Sequence, residues 1–163
     1  MTLPCSLSST RSNFDRAIRI NIRGTFLGMK YQIAAMLHGP GGAIVNMASI
    51  AGLHGVADLA GYTAGKAGII ALTRVAALDY AEQGIRVNVV APGPILTHRL
   101  EVAGEQAQLL AAGATPMRRV GRVGEVAATV LWLCSGQASF VTGAVLPVDG
   151  GQFAGLRPPQ MHR

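Results

Sequence analysis

A chain of 163 residues is long enough for one domain with a substantial core. Half of the residues are hydrophobic and only 13% are charged, which points to elements buried on more than one side. No apolar run approaches the roughly 18 residues of a membrane span, and the net charge of +6 does not describe a nucleic-acid binder. The arginines are spread along the chain, only Arg118, Arg119 and Arg122 stand close together, and aromatics are too scarce to make a stacking platform for single strands. An anionic ligand or partner is the simpler account of the charge, and Arg118 and Arg119 are the candidates for recognising an acidic or acyl-carrier substrate. Cys5 and Cys134 are far apart and the histidines (His38, His54, His98, His162) are scattered, so no metal site is expected. With no basic leader followed by an apolar stretch, the opening residues give no secretory signal, and a cytoplasmic location is expected.

The predicted elements alternate. Ser12 with Asp15 makes a capping-box-like start to a long helix over residues 14–38, which ends at the breaker cluster "GPGG". "AIVNMAS" follows as a short buried strand, with Met47 expected in the core. A loop through Gly52, His54, Gly55 and Asp58 leads to a second long helix over 61–82, rich in Ala and Gly and closed by Gly84. "IRVNVVA" is the next strand, broken by "PGP". A loop with a short amphipathic segment fills 96–122, where Thr97 is a candidate N-cap. "GEVAATVLWLCS" is a further helix and "AVLPVDGG" a last strand, and the end of the chain, with Pro158 and Pro159, is expected to be a loose tail from 152 to 163. Strands separated by helices indicate a parallel, doubly wound α/β sheet of the Rossmann-like kind, here with about three strands. Residues 1–163 read as a single domain.

Tyr62 and Lys66 stand at i and i+4 of the second long helix, thirteen residues and more beyond Ser49. That spacing puts an ammonium beside a phenol on one helix face, and a positive charge there favours the phenolate form needed for acid–base work. The plain alternative is a helix-surface pair. Parallel sheets usually hold a dinucleotide at a glycine-rich strand-to-helix turn in their first βαβ unit. No such turn is present: "GPGGAIV" precedes a strand and terminates a helix, so the chain reads as lacking the first half of its fold.

Five motifs in register resemble the short-chain dehydrogenase/reductase family over about residues 12–151. "RINIRGTFLGMK" is similar to the family's helix with its catalytic asparagine, here Asn21. "IVNMASIAG" resembles the strand that ends in the catalytic serine, Ser49, and "YTAGKAG" the Tyr–Lys helix, with Tyr62 and Lys66. "IRVNVVAPGPILT" resembles the strand and turn that hold the nicotinamide, and "GRVGEVAATVLWLCSGQASFVTGAVLPVDGG" the C-terminal helix, turn and strand. The resemblance implies an NAD- or NADP-dependent oxidoreductase acting on a small alcohol or ketone. Tyr62 would be the acid or base, Lys66 would hold the nicotinamide ribose and tune Tyr62, Ser49 would bond the substrate oxygen, and Asn21 would hold a water on the proton path. Pro92, Gly93, Ile95 and Thr97 would position the nicotinamide, alongside Tyr62 and Lys66. Plain structural roles remain open: Asn21 and Asn46 satisfying buried backbone groups, Ser49 capping its strand end.

In the family the first half carries the pyrophosphate turn and the residue that separates NAD from NADP, so coenzyme preference is not readable here. The family also implies a homodimer or homotetramer through the helices over 13–38 and 61–82. Three readings follow: the C-terminal portion of an oxidoreductase, a catalytically inactive form that acts as a helix-mediated dimerisation partner, or a chain active by itself.

Overall fold

The computed structural model describes residues 11–155. A long helical stretch opens it, made of α1 (Arg11–Ile18), a π-helical turn (Arg19–Arg23) and α2 (Gly24–Met36). Then come β1 (Gly42–Met47), α3 (Ala60–Tyr80), β2 (Ile85–Pro92), β3 (Ile95–Leu96), α4 (His98–Val102), α5 (Glu105–Gly113), β4 (Gly121–Arg122), α6 (Val123–Cys134) and β5 (Val145–Val148). Ser12 and Asp15 lie inside α1, where Asp15 pairs with Arg11 at 3.7 Å. Pro158 and Pro159 fall outside the described residues.

The main sheet has the order β1-β2-β5, all parallel, with Gly42 opposite Ile85 and Val89 opposite Val145. The β-branched run of β2 is buried along nearly its whole length because helices cover both faces. Ile85 and Val87 meet Ile44, Met29 and Ile33 of α2, and Ala76 and Ala77 of α3. Val90 meets Val126 and Leu133 of α6 on the other face. Burying each such aliphatic side chain contributes about 1.5–3 kcal/mol. The chain enters β1 through Gly41, at φ +97°, where a Cβ would strike the backbone of Gly84. Gly84 itself closes α3 in the left-handed region, as its place in the sequence predicts.

Polar groups of β2 on the α6 side are tied down. The Arg86 guanidinium donates to the carbonyls of Leu133 (2.8 Å), Ser135 (3.2 Å) and Val141 (3.3 Å), which finishes the C-terminal end of α6. Asn88, fully buried, donates to Val141 O and accepts from Ala144 N, and so fixes the turn into β5. β3 and β4 form a separate two-stranded ladder beside the main sheet. The segment read as a loop with one short amphipathic piece therefore holds two helices and this ladder, each too short to leave a period in the sequence.

Met47, expected in the core, is 43% exposed. It ends β1, an outer strand of the sheet, and lines an open cleft at the strand ends. Asn46 is held as expected for a structural residue, but by side chains rather than backbone: its amide donates to Thr73 Oγ1 at 2.9 Å and to Met29 Sδ at 3.2 Å.

Candidate active site

The site is assembled at the C-terminal ends of β1 and β2, where open parallel sheets leave a crevice. Ser49 follows β1 in extended backbone, and its Oγ accepts from Ala51 N at 3.2 Å to start a 3₁₀ turn at Ile50–Gly52. The capping role is thus present. The same Oγ lies 3.5 Å from Pro92 O, across the crevice in β2. Gly52 lets this turn lie directly on α3: a Cβ there would come within 2.7 Å of the Lys66 carbonyl carbon.

Tyr62 and Lys66 occupy the first two turns of α3, and Lys66 Nζ stands 5.7 Å from the Tyr62 ring centroid. Lys66 Nζ also donates to Met47 O at 3.0 Å. Burial pulls the Lys66 ammonium below its usual pKa of 10.5. Beyond β2 the chain turns at Gly93, whose N–H donates to Val148 O at 3.1 Å, and a Cβ on Gly93 would meet Asp149 at 2.9 Å. Thr97 precedes α4, and its carbonyl accepts from Leu100 N and Glu101 N. Its side chain makes no capping bond, so the start of α4 is carried by the main chain alone.

Ser49, Tyr62, Lys66, Pro92, Gly93, Ile95 and Thr97 all line one cleft of about 710 Å³, a size typical of small-molecule sites. Sequence reasoning did not include its apolar wall, which is Val123, Val126 and Val130 of α6. The i, i+3, i+4 spacing of apolar residues in "VGEVAATV" was the available signal. One ammonium, backbone groups at the Pro92–Gly93 turn and an apolar wall suit a nicotinamide with its ribose. Among the described residues no glycine-rich strand-to-helix turn is present to receive the phosphates.

Asn21 does not line the cleft. It sits at the centre of the π turn behind α3, donates to Ala17 O at 3.0 Å, and abuts Gly65, where a Cβ would lie 2.9 Å from the Asn21 Cβ. Single π turns inside α-helices are frequent at functional sites, whereas the sequence pattern predicts one uninterrupted helix here. The arginines considered for an acidic substrate are engaged within the chain. Arg118 donates to Gly113 O at 3.0 Å, and Arg119 holds Glu125 in a two-point pair at 2.6 and 2.9 Å. That pair, with the Arg122 N–H, draws the Glu125 carboxyl down to a pKa of about 2. His98 lies 3.9 Å from Glu101, and His54 stacks on Phe153. No cluster of metal-ligating side chains occurs among the described residues, and none of their helices is long and apolar enough to cross a membrane.

A family model described as enoyl-(acyl carrier protein) reductase matches residues 5–152. Levodione reductase of Leifsonia aquatica is 39% identical over 155 residues, a match covering 90% of this chain and 58% of that protein. Cyclohexanol dehydrogenase of Acinetobacter sp. (strain SE19) is 47% identical over 135 residues, covering 83% of this chain and 53% of that one. Among solved structures, ElxO with NADP bound superposes with a TM-score of 0.89 at 34% identity, over 95% of this chain and 64% of the other. The crystal structure of levodione reductase does so with 0.88 at 37%, over 93% and 62%. The chain spans little more than half the length of the curated relatives it matches. Matches of this extent, falling on the parallel sheet and on the cleft at its strand ends, leave one assignment: the chain belongs to the short-chain dehydrogenase/reductase family.

Proposed function

We propose that the cleft is the catalytic half of an NAD(P)-dependent oxidoreductase of alcohols and carbonyls. One observation carries the proposal: residues from the end of β1, from α3 and from the turn after β2 meet around a single cavity of ligand size. A nicotinamide, when bound, supplies or accepts the hydride. Tyr62 exchanges the proton of the substrate oxygen, giving it to a carbonyl in reduction and taking it from a hydroxyl in oxidation. Ser49 Oγ donates a hydrogen bond to the same oxygen and steadies the charge that develops there. Lys66, two turns into α3 and partly desolvated, orients the ribose and biases the proton position on Tyr62. Asn21, with its carbonyl in the disturbed ladder of the π turn, holds the far end of the proton path. Pro92, Gly93, Ile95 and Thr97 set the nicotinamide face. The similarity to cyclohexanol dehydrogenase and levodione reductase makes cyclohexanol and cyclohexanone the first substrates to assay. A cytoplasmic location accords with the free, exposed thiol of Cys134.

The test is a titration of the purified 163-residue chain with NADH and NADPH, followed by nicotinamide fluorescence, and then a cyclohexanol assay. Saturable micromolar binding with turnover abolished in Tyr62→Phe supports the reading. A folded protein that binds neither coenzyme refutes it for this chain.

A second reading, a helix-mediated partner without catalysis, is favoured by the groove between α2 and α3. Two of its lining residues, Phe26 and Val75, are 51% and 56% exposed. The same face suits a homodimer or homotetramer. Sedimentation analysis of Val75→Glu tests it: the variant should dissociate, and unchanged mass refutes the interface.

A further inference from the structure

We propose that the cleft selects small uncharged alcohols and ketones and turns away those that carry a carboxylate, a proposal that rests on the oxidoreductase reading above. Among the described residues that line the cleft, Lys66 alone carries a charge. Its ammonium is committed twice. It donates to Met47 O at 3.0 Å, and in the reading above it holds the coenzyme ribose. Lys66 is also half-buried, and burial disfavours its charged form. The other polar side chains of the lining, Ser49, Tyr62 and Thr97, end in hydroxyls. They can bond one neutral oxygen, but they bring no charge to balance an ionised group. The rest of the wall is apolar, with Val126 and Val130 of α6.

The cations that the sequence offers to an acidic substrate are turned elsewhere. Arg118 donates to Gly113 O, and Arg119 is closed by both oxygens of Glu125. Arg119 and Arg122 line a separate hollow of about 490 Å³ beside Leu96, and Glu125 lines it with them. The positive end of α6 is satisfied from within as well. There the Glu125 carboxylate accepts from Arg122 N at 2.7 Å, and it stays ionised because the Arg119 pair and that bond draw its pKa to about 2. An anion entering the cleft would therefore lose its water without gaining a partner, and an unpaired charge is expensive to bury. A neutral group of the same size loses far less.

The experiment compares trans-4-hydroxycyclohexanecarboxylate with its carboxamide, which matches it in size and lacks the charge. Binding is read on the full 163-residue chain, labelled at its methionine methyl groups, with and without NADH. The reporter is the NMR signal of Met47, which ends β1, lines the cleft and is 43% exposed. Met47→Leu identifies that signal. The carboxamide should shift it saturably, and the carboxylate should need at least tenfold more to do so. In oxidation with NAD or NADP at neutral pH, kcat/KM for the carboxamide should exceed that for the carboxylate at least tenfold, mainly through KM. Arg118→Ala, Arg119→Ala and Arg122→Ala should each leave that ratio within twofold. A carboxylate that shifts Met47 as readily as the carboxamide overturns the proposal whether or not the chain turns over, and so does a Met47 signal that ignores both. A Met47 preference for the carboxamide without turnover keeps the selection and refutes the oxidoreductase reading. A ratio that moves further in any arginine variant shows a cation reaching the substrate and also overturns the proposal.

Discussion

Replacing Arg86 by methionine keeps much of the side-chain stem and removes three hydrogen bonds made by a charged donor. Their loss is unequal. Val141 O retains the Asn88 amide at 2.8 Å, and Ser135 O retains the amide of Ala138. Leu133 O, in the last turn of a helix whose Leu133 side chain is fully buried, loses the shortest of the three, at 2.8 Å. A hydrogen bond to a charged group contributes about 1.5–3 kcal/mol, and a cation at a helix C-terminus adds about 0.3–1 kcal/mol. The expected cost is therefore about 3 kcal/mol, which for a chain of this size lowers Tm by about 6–12 °C. Urea denaturation followed by circular dichroism measures it, with the m-value unchanged. Arg86→Lys, whose ammonium reaches fewer of the carbonyls, should recover less than half. A loss below about 1 kcal/mol in Arg86→Met, at constant m, would refute the view that this guanidinium holds the end of α6 against the sheet.

Gly52→Ala should destabilise by about 1–3 kcal/mol, because its Cβ would meet immovable backbone of Lys66; unchanged urea midpoint and activity would contradict the close contact of loop and helix. Glu125→Gln separates the Arg119 pair from the rest of the fold. The Glu125 pKa is lowered from 4.5 to about 2, so its stabilisation is present above pH 4.5 and lost as pH falls towards 2. The stability difference between wild type and variant should close over that window, and a difference independent of pH counts against the pair. Lys66 has the opposite sense. Burial lowers its pKa below 10.5, so the unfolded chain binds more protons just below that pH and wild-type stability rises with pH there. Lys66→Met should be at least as stable as wild type at pH 7, with its advantage shrinking towards pH 10.5 and turnover lost; a variant clearly less stable at pH 7 sinks this account.

The parallel sheet and its helices were legible because the chain changes period cleanly, from long helical stretches to short β-branched runs such as "IRVNVV". Ser49, Tyr62 and Lys66 were legible for a local reason: two of them share one helix face, and the third ends a strand beside it. The Pro92–Gly93 turn was legible because it breaks the strand before it. Other features depend on partners remote in sequence. His54 and Phe153 meet only because the loop after β1 and the turn after β5 finish at the same edge. The exposure of Met47 depends on what lies beside β1, which residue type does not encode. "RINIR" carries no mark of a π turn. Arg86 in an otherwise apolar strand was a signal that could have been used, since a charge inside a sheet must find acceptors.

A π turn takes in one residue more than an α turn, so α1 and α2 are out of step by about 100° around a common axis. Phe14 and Ala17 meet Gly61 of α3 at that offset. Deleting one residue within Arg19–Arg23 would therefore act less as a shortening than as a rotation. Everything upstream would swing away from α3 while α2 stayed seated on the sheet. Its length, as well as the Asn21 side chain, is what this stretch of the chain must keep.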